Sequence, residues 1–213
     1  MEPFDRPAFV SACQTAFDLA SDPAVADAWE TESTCAGMTV GGLTHHLLAQ
    51  IRHVAALIQV PPTTAPPIPL LDHYARADWV SSPMGDEANT SIRDEGNAAA
   101  SDGPAAVLAD YPSLIDLLPE LVTIPRSPDT ILVPWQGWTL ATDDFFITRS
   151  MELVVHSDDL AASVGLPTPE FPESITTQVA ALLAGVAMRR HGQAAVVRAL
   201  SRPQRAPKDV SAF

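Results

Sequence analysis

Glu152 and His156 stand four residues apart in a stretch, Phe145 to Leu160, whose apolar spacing predicts a helix. Residues i and i+4 share one helix face, so this carboxylate and imidazole can hold one divalent ion together. Asp159 falls on the same strip three residues further on. Two ligands from one helix do not close a site. A third must come from another element.

The supply of imidazole and thiol ligands for the third place is narrow, because the chain has six histidines and two cysteines. A helix is expected from about Thr39 to Val60, with Val40, Leu43, Leu47, Ile51, Val54 and Ile58 in one apolar stripe. On that wheel His45, Arg52 and Gln59 lie roughly opposite, towards solvent, whereas His46, Gln50 and His53 flank the stripe. His46, and not its neighbour His45, is therefore placed to look inwards. His53 lies two turns away, roughly 10 Å along the axis at 1.5 Å per residue, too far to grip the same ion as His46. His73 and His191 have no partner that spacing can name and are expected at the surface or its boundary. Cys13 sits inside a predicted helix as a buried, inert thiol, Cys35 falls in a polar connector, and the two lack metal-type spacing.

Pattern alone leaves two readings of the Glu152 strip. Thr148, Arg149, Glu152, His156, Asp159 and Ser163 share one side of the helix, and a broad apolar arc covers the rest. That is how the solvated face of an amphipathic helix looks, and Glu–His pairs at this spacing are common by chance. The same strip turned towards a bundle interior is a metal site.

The elements that must position these residues are mostly helical. Asp5 and Pro7 open a first helix that continues towards Ser21, and a shorter piece follows from Val25 to Trp29. Pro61 and Pro62 end the His46 helix, and the proline-rich run to Pro69 is expected to extend over the surface. A short helix or turn is expected over Leu70 to Val80, then a polar helix from Met84 to Ala100 carrying Arg93. A further helix, begun at Asp102-Gly103-Pro104, runs to about Leu121 and is kinked or split at Pro112. Strand signal is confined to Thr130–Trp135 and Trp138–Leu140 around a Gln136-Gly137 turn, read as a small hairpin or extended loop. Its two tryptophans either wall a pocket or cover the end of the core. Thr142 and Asp143 cap the Glu152 helix, Gly165 stops it, and two helices follow, Ser174 to Arg190 and Ala194 to Leu200. Helices joined by short or proline-rich connectors make an all-α bundle.

Composition narrows the partners. A chain of 213 residues, 46% hydrophobic and 18% charged, is long and apolar enough to bury a substantial core. A formal charge of -14 repels nucleic acid and anionic membranes, so neither is an expected partner. The N-terminus lacks a basic segment followed by an apolar run, so no signal peptide is expected. With no apolar stretch long enough to span a bilayer, the expectation is a cytoplasmic chain without a structural disulfide.

Two stretches resemble a known family. Met38-Thr39-Val40-Gly41-Gly42-Leu43-Thr44-His45-His46-Leu47 resembles the start of the second helix in the DinB-like superfamily. It is closest to the mycothiol-dependent maleylpyruvate isomerase N-terminal domain, with its Thr-Val opening followed by Leu-x-x-His-Leu. Glu152, His156, Asp159 and Leu160 match that family's second signature, Glu-x-x-x-His-x-x-Asp-Leu. The signatures occur in the family's order, and the resemblance covers roughly residues 5 to 165.

The resemblance implies a DinB-like four-helix bundle over residues 1–165, with a C-terminal helical extension over 166–213. It implies that His46, Glu152 and His156 bind a divalent metal, with Asp159 orienting a ligand from behind. Zinc is the first choice, and two imidazoles with one carboxylate also suit nickel or iron. The open coordination position in that family is thought to receive the thiol of mycothiol, a low-molecular-weight cosubstrate. The implied function is a metal-dependent thiol transferase or isomerase acting on a small electrophile, as a monomer or homodimer. Arg93 is a candidate for holding an anionic group of the cofactor. The isomerases carry a further domain that contributes to their substrate site, and the fifty or so residues after Gly165 do not supply it, so maleylpyruvate itself is not implied. The alternative is a bundle that binds a metal or small ligand without turnover. An iron oxygenase with the same ligand types fits less well, since those usually occupy β-barrel scaffolds.

Overall fold

The chain folds as a ring of four helices with further helices laid on its outside. A computed structural model describes residues 3–81 and 87–213. Helix α1 (Arg6–Ala20) begins where the Asp5 carboxylate accepts from the Ala8 N–H, with Pro7 in its first turn. It buries Phe9, Ala12, Cys13, Ala16 and Leu19. The short α2 (Pro23–Asp27) is capped by Asp22 and stops before the expected Trp29, whose buried indole N–H donates to the Ala100 carbonyl at 2.9 Å.

Helix α3 (Val40–Gln59) starts at Thr39, whose hydroxyl accepts from the Gly42 N–H at 3.0 Å. Its predicted stripe is buried throughout, Leu43, Leu47, Ile51 and Val54 completely. Each such side chain contributes roughly 1.5–3 kcal/mol of transfer free energy. The proline-rich run beyond it is tied down where the Ile68 N–H donates to the Thr139 carbonyl at 2.9 Å. Short helices α4 (Leu70–Arg76) and α5 (Asp78–Ser81) follow, then α6 (Glu87–Ala99). Positions 84–86 of the helix expected from Met84 lie outside the described residues. Asn97 of α6 accepts from the Thr39 N–H at 2.9 Å, so α6 holds the start of α3.

At Pro112 the chain splits. Helix α7 (Pro104–Leu108) ends, and α8 (Tyr111–Leu121) begins with Pro112 in its first turn, where a missing N–H costs nothing. Strands β1 (Thr130–Val133) and β2 (Trp138–Ala141) pair antiparallel, Thr130 opposite Ala141 and Val133 opposite Trp138. The turn between them therefore spans residues 134–137 and is wider than the expected Gln136-Gly137 pair.

Helix α9 (Thr142–Val164) carries the Glu152 strip and ends at Gly165, left-handed at φ 73°. Its start differs from expectation: no side chain caps it. Asp143 instead accepts from the Phe4 N–H at 3.2 Å and from Arg6 at 3.4 Å, fastening the start of α1 to the start of α9. Helices α10 (Glu173–His191) and α11 (Gln193–Ser201) complete the chain.

Round the ring, α3 packs on α9, α9 on α1, α1 on α8 and α8 on α3. Phe4, Phe9 and Phe146 meet at the α1–α9 seam, with Phe9 edge-on to Phe146 at 5.0 Å. Helix α6 covers the outer side of α3. Helix α10 lies on α9 and α1, and its Ile175, Val179 and Leu182 join the same hydrophobic core. The fold is thus mostly helical with one small hairpin, as the pattern predicts. No helix among the described residues is long and apolar enough to cross a membrane.

Candidate metal centre

Helices α3 and α9 run antiparallel, so advancing along one retreats along the other. Gln50 meets Arg149, and His46, four residues earlier, meets Glu152, three residues later. The first half of α9 is buried on nearly every side, and the strip reaches the surface only from Glu152 onwards. There the side chains of Glu152, His46 and His156 are 12%, 24% and 23% exposed. They are held firmly, yet a small molecule can reach them.

His46 Nε2 and His156 Nε2 each lie 3.2 Å from the same oxygen, Glu152 Oε2. The two imidazoles stand edge to face with centroids 4.8 Å apart. All three potential ligand atoms fall within 4.8 Å of one another. Two nitrogens and a carboxylate oxygen converging this way fit a divalent ion, with the solvent side left for a further ligand. That donor set suits zinc, nickel or iron(II).

Behind His156 the site continues. Its Nδ1 lies 2.9 Å from Asp159 Oδ2, which also accepts from the Cys35 thiol at 3.4 Å. Cys35, His156 and Asp159 make a second group of close ligand-type atoms. The connector carrying Cys35 is fixed to α9 by Thr34, whose N–H donates to Ser163 and whose hydroxyl donates to the Asp159 carbonyl, both at 2.9 Å. Spacing gave no hint of this thiol, which is 124 residues from the carboxylate it touches.

The electrostatics follow from these contacts. Burial pushes Glu152 upward, but hydrogen bonds from His156 and His46, with the charges of His156 and Arg149, hold it well below the usual carboxylate range. Burial pushes His156 downward, and hydrogen bonds with Asp159, Cys35 and Glu152 pull it well above the ordinary histidine value. A proton on His156 thus lies between the carboxylates of Glu152 and Asp159.

The remaining sequence candidates fall elsewhere. Arg93 on α6 donates to the Ala36 carbonyl at 3.0 Å and to Thr90 at 3.3 Å, bracing the connector that carries Cys35. His45 is partly buried, and burial lowers its pKa. His53 stacks on Trp135 at 4.5 Å and approaches neither His46 nor Glu152 within ion-pair or hydrogen-bond distance. His191 contacts the Ser211 carbonyl at 2.8 Å. His73 corrects an expectation: it is 3% exposed rather than at the surface, and its Nδ1 accepts from the Trp138 indole N–H at 3.0 Å. A groove of about 530 Å³ runs along another side of α9, past Val154, Asp158 and Phe171, but no imidazole or thiol lines it.

No curated protein and no solved structure matches the chain significantly. A family model described as the mycothiol maleylpyruvate isomerase N-terminal domain matches residues 10–161, from within α1 through His46 to Ala161, just beyond Asp159. The four-helix ring with its two-histidine, one-glutamate cluster is accordingly a DinB-like domain, and the chain belongs to the mycothiol maleylpyruvate isomerase N-terminal domain family.

Proposed function

We propose that this chain is a metal-dependent enzyme that uses a mycothiol-type thiol, transferring it to, or isomerising, a small electrophile. The convergence of His46, Glu152 and His156 at the edge of the α3–α9 seam supports this reading best. A divalent ion held there would lower the pKa of a thiol cosubstrate and so supply a nucleophile near neutral pH.

The chain's own residues do the rest. Glu152 and the two imidazoles are brought together by rigid helices, so their geometry is set before anything binds. Asp159 fixes the ring of His156 through Nδ1 and keeps Nε2 turned towards Glu152. Gln50 donates to the His46 carbonyl at 2.9 Å and steadies α3 one turn further along. Leu43, Leu47 and Leu153, on the helices of the three ligands, are fully buried in the core.

Metal analysis of protein purified without added metal, followed by thiol-conjugation assays on electrophile panels, tests the proposal. Conjugation that requires mycothiol and disappears in His156→Ala supports it. A bound ion whose removal only lowers the melting temperature, with no turnover, would make the centre structural. No bound ion in the parent, with His46→Ala and Glu152→Ala like the parent, would remove it.

A further inference from the structure

The His156 ring faces two ways. Its Nε2 lies 3.2 Å from Glu152 Oε2, an oxygen that also meets His46. Its Nδ1 lies 2.9 Å from Asp159 Oδ2, an oxygen that also accepts from the Cys35 thiol at 3.4 Å. Each ring nitrogen therefore looks at a carboxylate with a second ligand beside it. Cys35, His156 and Asp159 offer three ligand atoms within 4.8 Å of one another, as His46, Glu152 and His156 do, and the two groups share only the His156 ring. Tetrahedral ligands about 2.0–2.3 Å from one ion stand roughly 3.3–3.7 Å apart, so the Cys35 group needs only small adjustments to close on a cation.

The thiol's backbone is tied down on both sides. Before it, Thr34 bonds to Ser163 and to the Asp159 carbonyl. The Cys35 N–H donates to Ser33 Oγ at 3.1 Å, and the Cys35 carbonyl accepts from the Met38 N–H at 3.0 Å. After it, Arg93 clasps the Ala36 carbonyl. The ligand atoms are thus brought together by fixed backbone from two distant parts of the chain. The group is also within reach of solvent: Cys35 is half-buried, and the side chains of His156 and Asp159 are 23% and 29% exposed. Cys13, by contrast, is fully buried in α1. Sulfur, nitrogen and oxygen ligands favour softer ions than the two nitrogens and one oxygen of the triad.

We propose that Cys35, His156 Nδ1 and Asp159 form a second metal site, for a thiophilic cation, and that this site and the triad exclude each other. A neutral imidazole has one nitrogen with a free lone pair and one N–H. An ion at the triad takes Nε2 and leaves the ring proton on Nδ1, bonded to Asp159. An ion at the Cys35 site takes Nδ1 instead. The thiol then gives up its proton to solvent as the sulfur–metal bond forms, and the ring keeps its single proton on Nε2, bonded to Glu152. One neutral ring serves one ion at a time, so a thiophilic cation switches the triad off without displacing His46 or Glu152. The exclusion rests on the triad being a metal centre. The Cys35 site stands independently of that.

The test is titration of the metal-free full chain with cadmium(II), read by the thiolate-to-cadmium charge-transfer absorption in the ultraviolet. That absorption should appear in the parent and be lost in Cys35→Ser and in His156→Ala. Bound cadmium should also slow alkylation of Cys35 by iodoacetamide, located by mass spectrometry, at least about tenfold, a readout that needs no variant. Saturating zinc should raise the cadmium needed for half the absorption at least about tenfold in the parent, but not in Glu152→Gln, whose triad has lost its anionic ligand. Zinc affinity itself should be alike in the parent and in Cys35→Ser. No absorption and no protection in the parent would overturn the site. So would absorption that survives in His156→Ala, since the thiol would then bind cadmium without the ring. Zinc and cadmium bound together, with the absorption undiminished, would overturn the exclusion. Zinc affinity that falls in Cys35→Ser but not in Glu152→Gln would uphold the Cys35 site while refuting the triad as the zinc centre.

Discussion

His73 makes the stability of this fold depend on pH in a way that can be worked out beforehand. The ring is buried on α4, accepts the Trp138 indole N–H on Nδ1, and is therefore neutral with its proton on Nε2. Burial first, and then the charge of Arg149, lower its pKa from 6.5 to about 4, with Glu152 opposing. A histidine whose pKa falls on folding binds its proton first in the unfolded chain. Its contribution to stability is complete above about pH 6.5, declines as pH falls through the window from 6.5 towards 4, and is constant below that. At 1.36 kcal/mol per unit the whole window is worth about 3 kcal/mol, of which about 2 kcal/mol is gone by about pH 5. His53 titrates in the same window, also lowered to about 4, so the parent's total loss does not isolate one ring. A difference between proteins does. Urea unfolding of the parent and of His73→Gln, whose carboxamide can still accept from Trp138, would be measured at about pH 7.5 and about pH 5. The parent should lose about 2 kcal/mol more than the variant over that interval. Equal losses, within about 0.5 kcal/mol, would refute the argument.

Other substitutions probe the centre and its supports. Glu152→Gln puts a carboxamide oxygen where both imidazoles point, so the ion-free fold should lose only about 1–3 kcal/mol. Zinc affinity in that variant should fall by at least about a hundredfold, because the anionic ligand is gone; chelator competition measures it. Asp159→Asn removes the charge behind His156 and should weaken zinc about 10–100-fold, whereas Cys35→Ser, which keeps a donor to Asp159, should stay close to the parent in the same competition. Gly42→Ala would place a methyl 2.3 Å from Asn97 Oδ1 and 3.2 Å from its backbone nitrogen. The overpacking should cost about 1–3 kcal/mol and lower the melting temperature; an unchanged transition would show that α6 gives way freely.

How much of this was legible in the sequence depends on what periodicity can carry. A wheel fixes the angle at which a side chain leaves its helix, and angle was enough to choose His46 over His45 and to put Glu152 and His156 on one strip. Local chemistry was enough for the Asp5 cap and for Gly165. A wheel does not say what lies over a face. By pattern the Thr148–Ser163 strip fits a solvated face as well as an inward one, whereas in the fold Thr148 is fully buried and Arg149 nearly so, and Asp159 is partly buried further along. That gradient is set by the hairpin with Trp135 and by the connector with Cys35, elements far from α9 in sequence or of no helical period. For the same reason His73 was placed at the surface: its partner, Trp138, is 65 residues away. Once a single cross-helix pair is known, the rest follows. With α3 and α9 antiparallel, Gln50 against Arg149 fixes their register. That register brings His46 to Glu152 and carries the connector before Thr39 towards Asp159, where Thr34 and Cys35 meet it. The family signatures pointed to His46, Glu152 and His156, and through them to the one register that also sets Cys35 on one side of the centre and Arg149 on the other.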